Sequence, residues 1–186
     1  MLVYLYWPTG AMAAAFAAGA AVASIRFLRT RAFKFDSVSV AMVEAGMLLL
    51  ALHLTVGVAW DHSISGRWWS WNVPLTSALA CGLLYAGYLI LRQSVEEPTQ
   101  RATFCAAFSI FAFLDIPIVT LAVAWWWQKR PERASFPPHG EPVDRLLAAG
   151  ATAAVALAGG ALAFFRMRKE EARRERDAER RLQQAS

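Results

Sequence analysis

Apolar residues along this chain come in blocks, not at amphipathic spacing. Five such blocks stand out, over roughly 8–28, 38–60, 73–91, 102–127 and 146–165. Each is close to or beyond the roughly 20 residues with which an α-helix crosses about 30 Å of hydrocarbon. The pattern predicts an all-α, polytopic transmembrane helical bundle of five spans. A membrane domain would occupy residues 1–165 and a charged tail residues 166–186. Composition agrees, with 57% hydrophobic and 18% charged residues. Soluble domains carry about a quarter charged residues, so a water-soluble fold is excluded.

Charge then gives the blocks a direction. An odd number of spans puts the termini on opposite sides. One set of ends holds Arg26, Arg29, Arg31 and Lys34, then Arg92 and Arg101, then the tail residues Arg166, Arg168, Lys169, Arg173, Arg174, Arg176, Arg180 and Arg181. These are fourteen of the 19 basic residues; the opposite ends hold Arg67, Lys129, Arg130, Arg133 and Arg145. The positive-inside rule therefore sets the N-terminus outside and the C-terminus in the cytoplasm. The net charge of +5 is then an inner-leaflet signature facing the lipid bilayer, and no nucleic-acid partner is implied. No basic residue precedes the first block, the reverse of a secretory signal, so a cleavable leader is not expected.

Little in the chain suggests bond-making chemistry. There is no H-E-x-x-H, no serine-centred nucleophile motif and no phosphate-cradling glycine loop. Cys81 and Cys105 fall inside spans without a C-x-x-C pair and read as buried small hydrophobes. The chain is not expected to be an enzyme.

Candidate binding chemistry lies in two outer loops, Asp61–Asn72 and the proline-rich Gln128–Asp144. All eight tryptophans (Trp7, Trp60, Trp68, Trp69, Trp71, Trp125, Trp126, Trp127) fall on the outer side. An aromatic belt is one explanation, but belts form at both interfaces, and the inner side offers only phenylalanines. Trp68, Trp69 and Trp71 also crowd a four-residue window, which suits stacking on a large flat apolar molecule. Arg67, Lys129, Arg130 and Arg133 flank the indoles and would meet anionic edges. Haem, a planar macrocycle with two propionates, matches both features. A purely structural tryptophan cluster remains the competing explanation from composition alone.

The motifs sharpen this reading. The segment Gly66-Arg67-Trp68-Trp69-Ser70-Trp71-Asn72-Val73-Pro74-Leu75-Thr76 resembles the tryptophan-rich signature of the cytochrome c assembly family, approximately G-T-W-W-x-W-D-x-R-L-T. The branch it is most similar to is haem exporter protein C. Tyr4-Leu5-Tyr6-Trp7-Pro8 resembles Y-L-H-V-P, and Gly57-Val58-Ala59-Trp60 resembles G-S-A-W. Asp115-Ile116-Pro117-Ile118-Val119 with Val123-Ala124-Trp125-Trp126 resembles N-L-P-I-I…V-E-W-W, and Arg166-Met167-Arg168 matches R-M-R. The resemblance implies a multi-pass protein of the bacterial inner membrane that binds haem non-covalently at the outer face. It also implies partners: an ATP-driven transporter and a periplasmic haem chaperone of cytochrome c maturation. Trp68, Trp69 and Trp71 would stack on haem, beside Trp125 and Trp126, while Arg67, Lys129 and Arg130 would meet its propionates.

The departures concern iron. The resemblance sets the two histidine ligands at Tyr6 and Arg130, the signature aspartate at Asn72 and its arginine at Pro74, and the family's first span has no counterpart. His62 and His139 are the outer histidines left as candidate metal ligands. Loss of ligation would leave a structural subunit of the assembly complex.

Three ionisable residues lie within spans, where an Asp costs about 2.5–3.5 kcal/mol on insertion scales. At ~1.5 Å per residue, His53 and Asp115 lie ~22 and ~20 Å from the inner side, so a pairing between them is expected. Glu44 falls on the opposite side of its helix from His53. A small proton- or ion-coupled transporter using these three residues is a further alternative. Close helix contacts are expected at Ala78, Gly82, Gly150 and Gly159.

Overall fold

A computed structural model describes residues 2–128 and 142–185. Its order is α1 (Leu2–Thr30), α2 (Phe33–Ser65), α3 (Val73–Ser94), α4 (Pro98–Gln128) and α5 (Pro142–Ala185), with no strand among the described residues. All five helices are long and apolar enough to cross a membrane, in keeping with the five blocks. Their ends run past those blocks, because a helix continues where hydrocarbon stops. Pro8 is an internal residue of α1, not its start. Asp61–Ser65, expected in a loop, form the last turn of α2. α5 is one continuous helix, so the boundary near residue 165 is one of composition and not of backbone.

Turns at the arginine-rich end are short. The link between the first two blocks shrinks to Arg31 and Ala32. Arg31 takes a left-handed φ of 56°, and its N–H donates to the Phe27 carbonyl at 2.7 Å, closing α1 in the manner usually given to glycine. Its guanidinium also donates to Thr103 Oγ1 at 3.0 Å. α4 starts at Pro98, preceded by Glu97, whose carboxylate accepts the Thr99 and Gln100 N–H groups. Those two donors hold the Glu97 carboxyl below its ordinary range.

Packing is densest between α1 and α2; α4 stacks on α3 and α1, and α5 lies along α2 and α1. The core combines small residues, among them Ala20, Ala45, Ala112 and Cys105, with the buried rings of Phe27, Tyr85 and Tyr88. Small side chains let backbones approach where no hydrophobic effect drives helices together. The contact expected at Gly159 exists: a Cβ there would stand 2.8 Å from the Phe16 ring. Ala78 is buried, a Cβ at Gly82 would meet Leu50 at ordinary contact distance, and one at Gly150 would meet nothing within 4 Å among the described residues.

Polar ties hold the same end. Arg92 grips Asp36 with two hydrogen bonds of 3.1 Å, both side chains being largely buried. Ser24 and Ser39 share a buried hydrogen bond of 2.9 Å between α1 and α2. Glu44, set apart from His53 as expected, receives Arg166 Nη1 at 2.6 Å and so fastens α2 to α5.

The expected pairing of His53 with Asp115 does not form. His53 turns toward α1 and bonds the Tyr6 carbonyl, while Asp115 lies within electrostatic reach of Cys81 and Tyr85 on α3. Matching depth fixes only one coordinate. The rotation of each helix decides the partner, and α2 meets α4 only thinly. Glu44, His53 and Asp115 therefore serve three separate helix interfaces.

Candidate functional site

The first loop is shorter than the sequence suggests, Gly66–Asn72, and both its ends are locked. Gly66 stops α2 in the left-handed conformation, φ 71° and ψ 1°, with its N–H donating to the His62 carbonyl at 2.9 Å. Only a residue without Cβ takes that geometry freely. At the other end Asn72 caps α3: its Oδ1 accepts the Leu75 N–H at 2.9 Å, and Pro74 sits in the first turn, where a missing N–H costs nothing.

Between these ends Asp61 acts as a staple. It is only 8% exposed. Ser70 Oγ donates to its Oδ2, and Asn72 Nδ2 donates to its Oδ1 at 3.3 Å and to Ser70 Oγ at 2.6 Å. One carboxylate in the last turn of α2 thus ties the end of the loop back to that helix. Sequence reasoning missed this role, although an Asn two residues before a Pro is a legible cap signal.

The staple determines how the indoles are presented. Trp68 is 69% exposed and lies flat on His62, with ring centroids 4.0 Å apart and planes 8° from parallel. Trp71 is 80% exposed and meets Trp69 edge to face at 5.7 Å. Trp69 is more enclosed, and its Nε1 is buried without a hydrogen-bond partner among the described residues. Arg67, Trp69, Trp71 and Trp126 line a cleft of about 390 Å³ that opens beside Asp61 and Asn72. The structure thus brings together Arg67, Trp69, Trp71 and Trp126. Trp68 pairs with His62 instead, and Trp125 is exposed near the end of α4. Lys129, Arg130 and His139 lie outside the described residues.

A second space opens within the bundle. A cavity of about 390 Å³ lies between α1, α2, α3 and α4, with mostly apolar walls that include Trp7, Pro74 and Val123. The polar-bearing residues on its wall include His53, Tyr6, Thr120 and Cys81, beside mostly alanine, glycine and aliphatic neighbours. Tyr6, the position the family resemblance gives to a ligand, is 8% exposed and sits among the rings of His53, Trp7 and Trp60.

Among the described residues no group of three or more His, Cys, Asp or Glu side chains could hold a bare metal ion. A metal carried inside a macrocycle needs only an axial donor and flat apolar surface. Exposed indoles beside Arg67, and a histidine on the wall of an apolar cavity, fit that requirement.

Comparison with known proteins places these features in context. The family described as heme exporter protein C matches residues 1–182. A heme exporter protein C of Bradyrhizobium diazoefficiens is 30% identical over 105 residues, which is 56% of this chain and 40% of the relative. That of Paracoccus denitrificans is 30% identical over 139 residues, 73% of this chain and 56% of the relative. That of Escherichia coli K12 is 26% identical over 125 residues, 67% and 51% of the two chains. The chain spans about half the length of the curated relatives it matches.

Proposed function

The chain belongs to the haem exporter protein C family, and from that premise we propose that it handles haem for cytochrome c maturation, receiving it at the outer face of the bacterial inner membrane. The observation that carries this reading is the stapled loop, which holds Trp68 and Trp71 largely exposed beside the Arg67 cleft. Flat apolar rings uncovered on a loop beside a cation suit a planar ligand with anionic edges. Haem would bring iron and two carboxylates to it.

In this reading Trp68, Trp69 and Trp71 stack on the macrocycle, with Trp125 and Trp126 supplying apolar surface from α4. Arg67 meets a propionate, joined by Lys129 and Arg130 from the second loop. Of the two histidines expected as ligands, His62 stands in the last turn of α2 with Trp68 on its ring, and His139 lies outside the described residues. The residues bind and orient and make or break no bond, so the role is transport and presentation. Its partners would be an ATP-driven transporter and a haem chaperone outside the membrane, with the tail from residue 166 facing the cytoplasm. A cysteine placed at Ser63 should be labelled from outside and one at Ser186 only from inside; labelling of Ser186 from outside would remove the orientation.

The deciding measurement is absorption of the detergent-purified protein titrated with haem. Wild type should develop a saturable Soret band. Trp68→Ala combined with Trp71→Ala should weaken uptake about 5- to 150-fold, given roughly 0.5–1.5 kcal/mol per stacked ring. No uptake by wild type would favour the structural-subunit reading.

A further inference from the structure

An imidazole inside a membrane span is retained at a cost and marks function unless packing accounts for it. Packing accounts for one edge of His53. Its Nδ1 is 2.9 Å from the Tyr6 carbonyl oxygen and 3.3 Å from Thr9 Oγ1. A carbonyl only accepts, so Nδ1 carries the hydrogen and the neutral ring keeps its lone pair on Nε2. The Thr9 hydroxyl faces the carbonyls of Leu5 and Tyr6 at 2.7 and 2.9 Å, which uses its own hydrogen and leaves its oxygen as an acceptor.

The ring is held on other sides too. The Tyr6 ring lies 4.3 Å away at 31°. Gly10 presses on the Cε1 side, where a Cβ would stand 2.8 Å from that atom. Nε2 is different. It has no hydrogen-bond partner among the described residues, and it is not among the sealed, partnerless polar atoms. His53 belongs to the wall of the intramembrane cavity, and its Nε2 is not engaged by the contacts that fix Nδ1.

We propose that His53 Nε2 is the axial ligand of the haem iron, received in the cavity between α1, α2, α3 and α4. Two observations converge on it. An imidazole that donates its other N–H to a backbone carbonyl is the arrangement by which metal-binding histidines are oriented. The cavity, about 390 Å³, lies in the range of about 300–1,000 Å³ typical of small-molecule sites and has the expected apolar walls with few polar groups. A lipid acyl chain would suit the walls but would leave the lone pair unused; an iron centre in an apolar macrocycle uses both. The inference rests on the haem-handling reading above and moves ligation from the loop into the bundle. His53 precedes Trp60 by seven residues, about 10 Å along the helix. His62 already has Trp68 stacked on its ring.

The test compares wild type, His53→Gln, His53→Ala and His62→Ala, purified in detergent and titrated with ferric haem. Absorption and electron paramagnetic resonance spectra are recorded, with thermal melting as a check on folding. Glutamine keeps an N–H for the Tyr6 carbonyl but has no imidazole nitrogen. Both His53 variants should shift the Soret band and the iron resonance, and added imidazole should restore the wild-type spectrum in His53→Ala. His62→Ala should keep the wild-type spectrum. Wild-type spectra in folded His53→Gln, or failure of imidazole to restore His53→Ala with haem bound, would overturn the assignment. If His53→Ala does not fold, His53→Gln decides. Spectra insensitive to His53, with uptake still sensitive to Trp68 and Trp71, would end this inference and leave the haem reading standing. Absence of haem uptake by wild type would end both.

Discussion

The two ends of the bundle solve opposite problems. At the arginine-rich end a two-residue turn, the paired Asp36 and Arg92, the Ser24–Ser39 bond and the Glu44–Arg166 bridge join neighbouring helices. At the tryptophan-rich end the helices part around a cavity, and the loop holds indoles outward. Among the described residues Trp69 Nε1 and His62 Nδ1 are buried there without hydrogen-bond partners, and so is Tyr88 Oη nearer the other end. The contrast teaches that one end is tied together by ion pairs and hydrogen bonds between helices, whereas at the other the helices leave space and the loop leaves rings uncovered.

If that division is real, damage at one end should leave the other working. The largest effect is expected from Arg92→Leu, which takes the guanidinium away from the buried Asp36 carboxylate and should cost about 3–5 kcal/mol of stability, read as thermal melting in detergent. Adding Asp36→Leu should recover much of the loss. Haem affinity of the surviving folded protein should hardly move, and an equal fall in affinity would show that the ends are not separable.

Next in size is Asp61→Ala. It removes the acceptor for Ser70 and Asn72, and the loss of such an acceptor costs about 1–3 kcal/mol. Haem uptake should fall by more than the melting temperature suggests, because the loop loses its shape while the bundle keeps its ion pairs. Unchanged uptake would mean that the loop's conformation is irrelevant to the ligand.

Trp68→Ala is smaller, about 0.5–1.5 kcal/mol beyond buried area, measured as a haem dissociation constant. Because His62 loses its stacking partner as well, His62→Ala in the same background should add little. The least effect is expected of Arg67→Gln, below about 1 kcal/mol at low salt for an exposed charge. It should vanish as salt rises, and a salt-independent loss would show that Arg67 does more than meet an anionic edge.

Spans and their number were legible because hydrocarbon thickness imposes block length. Helix ends were not, because nothing in hydropathy stops a helix at the membrane surface; Gly66 and Asn72 did so through backbone geometry and capping. The crowding of Trp68, Trp69 and Trp71 could be read directly, but which of them faces outward follows from Asp61, eight residues upstream of Trp69. The partners of His53 were hidden for a different reason. Depth along a helix follows from counting residues, whereas azimuth depends on how Gly10 and Thr9 seat α1 against α2. A glycine opposite a histidine leaves no mark in the sequence of either helix alone.

The continuity of α2 has a mechanical side. Glu44, bridged to the charged helix α5, and Asp61, beneath the indole loop, ride on one unbroken rod. Seventeen residues separate them, about 26 Å of helix. A rod transmits tilt in proportion to its length: a pivot of 5° at Glu44 would carry Asp61 sideways by about 2 Å. Asp61 holds Ser70 and Asn72, so the loop would travel with it. Force applied to α5 beyond Arg166, on one side of the bundle, would thus arrive on the other as a lateral shift of the indoles.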